Sequence, residues 1–176
     1  NENIIETSGN YAKVNPPLRT KGDNIALWEG IEDGTVDIIG TDHAPHLIEE
    51  KKKPYIEAPS GFPGMETVLP LFINEVNKKR ISLNKLISLT SGNTAKIFKI
   101  DNRGLLKEGY YADLTVIDMD KEWIINPSDF LTKAKYSPFK GFKVKGKIIY
   151  TIVNGKCLYK DGNIDDKSYG EEIVYE

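Results

Sequence analysis

Val36-Asp37-Ile38-Ile39-Gly40-Thr41 lies between a helical pattern and a long loop, and this order constrains the fold more than any other feature. Upstream, Ile25, Leu27, Trp28 and Ile31 give residues 23–33 a helical apolar pattern, with Asp23 as the expected N-cap and Gly34 as the stop. The 36–41 run reads as a short, mostly buried strand. Residues 43–64 then carry Pro45, Pro54, Pro59, Pro63, Gly61 and Gly64. A loop of that length in a compact domain is functional or disordered. Met65, Val68, Leu69, Phe72 and Val76 next fall on one helical stripe, with Pro70 compatible only near the helix start or at a kink. Ser82 is expected to cap a helix through Leu89, and Ser91 to cap another carrying Ala95, Ile97 and Phe98. Helix, strand, long loop and helix make the texture of an α/β unit with a parallel sheet, where chemistry sits at the C-terminal ends of strands.

From about residue 99 the texture changes to short strands and turns, at 112–117, 122–125 and 147–153. Asn154-Gly155 joins 148–153 to 156–160, a strong hairpin signal because both turn residues must take positive φ. The expected organisation is thus 1–98 as one α/β part and 99–176 as a small β unit ending in an acidic tail from Asp161.

Composition narrows the partners. The chain has 176 residues, 39% of them hydrophobic, with 24 basic and 26 acidic residues and a net charge of −2. That balance points to no nucleic acid and no anionic membrane surface. Short basic clusters, Lys51-Lys52-Lys53 and Lys78-Lys79-Arg80, read as solvated surface. One cysteine, Cys157, allows neither an intrachain disulfide nor a cysteine zinc cage, and fits a reducing, cytoplasmic setting. No apolar run approaches the roughly 18 residues of a membrane span. The start, Asn1-Glu2-Asn3-Ile4, has neither signal-peptide character nor an initiator methionine, so the chain is expected to begin inside something longer or to be processed.

Thr41-Asp42-His43-Ala44-Pro45-His46 holds both histidines of the chain at the expected strand end. Three readings stand: a metal site, an acid–base site, or a polar loop. An Asp in a wet pocket there can bind a divalent ion through oxygen or shuttle a proton. The same Asp can simply cap nearby backbone N–H groups. His43 and His46 are separated by Pro45, so no helical zinc pair is set up, and two histidines would still need a third protein ligand. Asn15-Pro16-Pro17-Leu18-Arg19 is a stiff segment that presents an amide and a guanidinium, for a ligand or for a structural acid. Pro59-Ser60-Gly61-Phe62-Pro63-Gly64 could bring backbone N–H groups toward an anion at a helix start, or could be an ordinary start of that kind.

Taken together, NYAKVNPPLR, ALWEGI, DGTVDIIGTDHAPH, an EEK segment and APSGFPGMETVLPLF resemble the type I dihydroorotases of the amidohydrolase superfamily. TSGNTAKIF, GYYADLTVID and IIYTIVNGKCLYKDG extend the resemblance over roughly residues 9 to 162. It implies an α/β fold: the C-terminal part of a metal-dependent (β/α)8 TIM barrel over 1–98, followed by a small β-sandwich segment and tail over 99–176. It implies interconversion of dihydroorotate and N-carbamoyl-L-aspartate in pyrimidine synthesis. Asp42 matches the family's metal-ligating aspartate, which also serves as base and then acid. Asn15 and His46 match substrate contacts. Ser60 and Gly61 match positions whose backbone meets the substrate. His43 has no ligand role there and is expected to support structure.

The family's His-x-His pair, carboxylated lysine and further metal histidines have no counterpart in this chain. The resemblance therefore implies one or two divalent ions, zinc in the expected case, with most ligands elsewhere. A parallel barrel does not close on two strands. The expected partner is accordingly the N-terminal part of the same enzyme, with activity only in its presence. The alternatives are another cyclic amidohydrolase, hydantoinase- or allantoinase-like, and a non-catalytic companion of aspartate transcarbamoylase.

Overall fold

The computed structural model describes residues 1–165, 167 and 170–173. The acidic tail expected beyond Asp161 therefore lies partly outside the described residues. Two compact units interleave along the chain. The first comprises Asn1–Val36, Gly40–Leu71 and Ile124–Val144, and the second Asp37–Ile39, Phe72–Trp123 and the remainder from Lys145. The 124–144 segment thus belongs to the first unit.

In the first unit, α1 (Ile4–Ser8) runs into a 3-10 turn, Gly9–Ala12. Helix α2 spans Lys21–Asp33. Thr20, not Asp23, is its N-cap. The Thr20 side chain accepts from Asp23 N–H while the Asp23 carboxylate accepts from Thr20 N–H at 2.9 Å, a reciprocal capping box. The Thr20 hydroxyl, donating to the Asp23 carboxylate at 2.6 Å, and then the Thr20 N–H hold the Asp23 carboxyl below its ordinary range. Gly34 ends the helix at φ 92°, where a side chain would be strained. Helix α3 is a single turn, Ile48–Lys51, and α4 spans Met65–Asn77 with Pro70 inside it, its residues from Phe72 onward belonging to the second unit. The Glu66 carboxylate receives Leu131 N–H at 2.8 Å and Thr132 N–H at 3.0 Å, anchoring the 127–142 segment. Ala12, Ala58, Ile125, Phe130 and Tyr136 are buried in this unit.

In the second unit, α5 (Leu83–Ile87) is capped by Ser82, whose oxygen accepts from Lys85 N–H at 3.1 Å. A π-helical turn, Ser88–Gly92, leads directly into α6 (Asn93–Ile97). Ser91 is therefore no N-cap; its hydroxyl donates to the Gly104 carbonyl at 3.0 Å. A sheet of order β1-β2-β3-β4 follows, with β1 at Leu114–Ile124, β2 at Lys143–Val153, β3 at Lys156–Lys160 and β4 at Asn163–Ile164, of which Ile124, Lys143 and Val144 belong to the first unit. The two strands expected at 112–117 and 122–125 are one. β2 and β3 pair antiparallel, Val153 opposite Lys156, around Asn154 (φ 49°) and Gly155 (φ 75°).

The strand expected at 36–41 does not form a ladder, and no strand among the described residues pairs with it. A strand is completed by its neighbours, and a parallel one needs them on its edges. Within the second unit, Ile39 N–H donates instead to the Leu89 carbonyl at 3.0 Å, and the Asn93 side-chain amide donates to the Asp37 carbonyl at 2.8 Å.

Candidate active site

Every candidate site residue lies in the first unit. Asp42 is exposed and sits at φ 42°, a left-handed conformation that Asp tolerates better than most residues. Its neighbour Thr41 has its carbonyl oxygen only 2.8 Å from where a Cβ on Gly64 would stand, so residue 64 has room for hydrogen alone. Asn15 is also exposed and precedes a cis peptide bond to Pro16. Among the described residues, no hydrogen bond ties Asp42 or Asn15 to the other candidates.

The two histidines have different work. His43 Nδ1 accepts from Gly64 N–H and Met65 N–H, both at 3.2 Å. These are donors at the start of α4, which the helix itself leaves unpaired. The imidazole thus replaces an N-cap side chain, and its proton sits on Nε2 in the neutral ring. His46 Nε2 lies 2.9 Å from the Ser60 carbonyl, which can only accept. Nε2 therefore carries the proton, and Nδ1 is left for another partner: as an acceptor when the ring is neutral, as a donor when it is protonated. His46 N–H donates to the Tyr136 hydroxyl at 3.1 Å. Burial pushes the Tyr136 phenol above its ordinary range, so that hydroxyl stays protonated.

Ser60 and Gly61 join His46 in one wall. Gly61 stands at φ 124°, and a Cβ there would meet the Ala44 Cβ and carbonyl oxygen at 2.7 Å each and His46 Nε2 at 3.2 Å. Gly61 N–H donates to the Lys13 carbonyl at 2.8 Å, and Gly61 C=O accepts from Lys51 Nζ at 2.8 Å. Both its backbone groups are thus already engaged. The Ser60 N–H and hydroxyl make no hydrogen bond among the described residues, so they are the open donors of the pair.

Lys51 is the residue the sequence reading missed. It is 1% exposed, whereas its neighbours Lys52 and Lys53 are exposed as expected. A basic triplet carries no mark of which member turns inward. The nearest signal is placement: Lys51 is the last residue of the one-turn helix that follows TDHAPH. Glu50 closes that turn by accepting Leu47 N–H at 2.9 Å, and the Asn10 side-chain amide donates to Lys51 C=O at 2.9 Å and Lys53 C=O at 2.7 Å. Burial first, and the Lys13 ammonium second, lower the Lys51 pKa to about 8.

Among the described residues, no group of three or more His, Cys, Asp or Glu side chains converges to hold a metal ion. One nitrogen of each histidine is already engaged by backbone. The described residues by themselves make no metal cage, and the exposed carboxylates of the 42–64 loop are Asp42, Glu49 and Glu57.

Comparison with known proteins accords with this incompleteness. The Amidohydrolase family model matches residues 7–158. A dihydroorotase of Geobacter sp. (strain M21) is 48% identical over 151 residues, 86% of this chain and 35% of that protein. A dihydroorotase of Pyrococcus horikoshii is 44% identical over 164 residues, 93% of this chain and 38% of that protein. The chain thus spans little more than a third of their length. Among solved structures, the L-hydantoinase (dihydropyrimidinase) of Arthrobacter aurescens superposes with a TM-score of 0.93 at 35% identity, covering 98% of this chain and 40% of that one. The helices and loops described above are thus part of a TIM-barrel amidohydrolase architecture, and the chain belongs to the amidohydrolase family.

Proposed function

We propose that this chain is the part of a dihydroorotase that supplies the proton-shuttling carboxylate and one wall of the substrate pocket. The observation that carries the reading is the 48% identity to a dihydroorotase over 86% of the chain. The reaction is reversible hydrolysis of dihydroorotate to N-carbamoyl-L-aspartate, in a cytoplasmic setting. Water adds to the ring amide carbon, the C–N bond breaks, and the nitrogen leaves with a proton. Asp42 takes the proton from the attacking water and returns it to that nitrogen, and the reverse order closes the ring. His46 turns Nδ1 toward the substrate carboxylate while Nε2 holds the Ser60 carbonyl. Asn15 contributes its side-chain amide. Ser60 offers its N–H and hydroxyl, and Gly61 offers the second lone pair of its carbonyl and the absence of a side chain.

Divalent ions, zinc in this reading, would acidify the attacking water, with Asp42 the one ligand from this chain. The remaining ligands would come from the rest of the barrel, and the sheet built from β1 to β4 forms part of a β-sandwich. The complete enzyme, this chain together with that remainder, is the species to assay.

A second reading, a cyclic amidohydrolase acting on hydantoin rings, draws on the 0.93 TM-score to an L-hydantoinase. A substrate panel separates the two. Hydrolysis of dihydroorotate with hydantoin left intact supports the first reading; hydrolysis of hydantoin with dihydroorotate untouched sinks it.

A further inference from the structure

We propose that Lys51 is a positioning residue for substrate binding: its buried ammonium sets the backbone of Ser60 and Gly61, and through the Ser60 carbonyl the ring of His46. The inference rests on the reading of this loop as a substrate wall.

The geometry is that of a clamp with two lysines. Lys51 Nζ donates to Gly61 C=O at 2.8 Å, Pro59 C=O at 2.9 Å and Lys13 C=O at 3.4 Å. An ammonium has three donors, and each here has a carbonyl. Lys13 grips the other side of the same loop. Its Nζ donates to Tyr55 C=O and Ala58 C=O, both at 2.6 Å, while its own carbonyl receives Gly61 N–H. Carbonyls at 55, 58, 59 and 61 thus converge on two cations. A proline-rich loop has few N–H groups with which to satisfy itself, and the lysines provide the missing donors. The arrangement engages both backbone groups of Gly61 and leaves Ser60 N–H unengaged. It also fixes the carbonyl that selects the His46 tautomer. The titratable groups facing the Lys51 ammonium are Lys13 and Tyr136, whose ring centroid is 5.9 Å from Nζ.

An interior lysine kept only for stability would be replaceable by an apolar side chain of similar length, with the cost seen in folding. A positioning lysine shows itself in substrate binding. The test compares wild type, Lys51→Met and Lys51→Arg in the complete enzyme, measuring KM and kcat for dihydroorotate together with Tm. The expected result for Lys51→Met is a KM raised by about tenfold or more with kcat within about threefold, and for Lys51→Arg a partial return toward the wild-type KM. A Lys51→Met KM within about twofold of wild type, or a loss confined to kcat, overturns the proposal. Should Lys51→Met not fold, Lys13→Met reads the same wall from its other anchor: KM raised by about threefold supports the clamp, and an unchanged KM overturns it. If the wild-type enzyme hydrolyses hydantoin and not dihydroorotate, the functional reading fails, and the same KM-against-kcat comparison on hydantoin still decides the role of Lys51.

Discussion

The loop from Asp42 to Gly64 and the hairpin of β2 and β3 are held in opposite ways. The hairpin is built from neighbours in sequence, with Val153 opposite Lys156 and a two-residue turn whose residues suit positive φ. The loop forms almost no ladder. It is held by single side chains reaching backbone from a distance: Lys13 to Tyr55 and Ala58, His43 to Gly64 and Met65, Tyr136 to His46. Ladders average over many bonds, whereas tethers concentrate an outcome on one atom. A loop of this kind can place a carboxylate and an imidazole closely without joining a sheet, and each tether becomes a point of failure.

Substitutions can break that contrast, beginning with the largest effect. In the sheet, a Cβ on Gly146 would stand 2.1 Å from Ile73 Cγ2, and the residue holds φ 106°. Gly146→Ala should cost about 3 kcal/mol or more in stability, read by urea titration. In the loop, Gly61→Ala meets Ala44 on two atoms. On the proposed role of this backbone as a substrate wall, it should raise KM by about tenfold with a smaller stability loss, measured on the complete enzyme. Equal stability losses for the two variants, with KM unchanged, would erase the difference between the regions.

His43→Ala removes the acceptor at the start of α4 and should lower stability by about 1 kcal/mol while sparing kcat, by analogy with loss of an N-cap. The smallest effect is a pH slope. Native Lys51 releases its proton near 8, while the unfolded chain holds it to about 10.5. Between those values the unfolded state binds more protons, so the contribution of Lys51 to stability rises with pH across the window and is flat below it. Tm measured from pH 7 to 10 should show this slope in wild type and lose it in Lys51→Met.

The same contrast explains what was legible from residues alone. α2, the Met65–Asn77 helix, the Ser82 cap and the Asn154-Gly155 hairpin all announce themselves within a few positions. Thr20 and Asp23 are both good caps three residues apart and the box uses both, so the sequence alone does not single out Thr20. The 36–41 run has strand composition, yet pairing belongs to neighbours it does not carry. The site motif pointed to Asp42, Asn15, His46, Ser60 and Gly61 as a resemblance. It could not show that Gly61 has both backbone groups engaged, that His43 caps a helix, or that Lys51 is interior. Those are long-range facts decided by one side chain each, and a basic triplet looks the same whether its first member faces water or three carbonyls.

The central claim is a division of labour: one carboxylate, Asp42, supplies this chain's chemistry, while the neighbouring imidazole of His43 supplies structure. It is tested most directly by kcat for dihydroorotate hydrolysis in the complete enzyme, measured for Asp42→Asn and His43→Ala side by side with Tm. Asp42→Asn should lower kcat by about 10²–10⁴-fold at an unchanged Tm, and His43→Ala should lower Tm with kcat within about threefold. A near-normal kcat for Asp42→Asn, or a collapse of kcat in a fully folded His43→Ala, would contradict it.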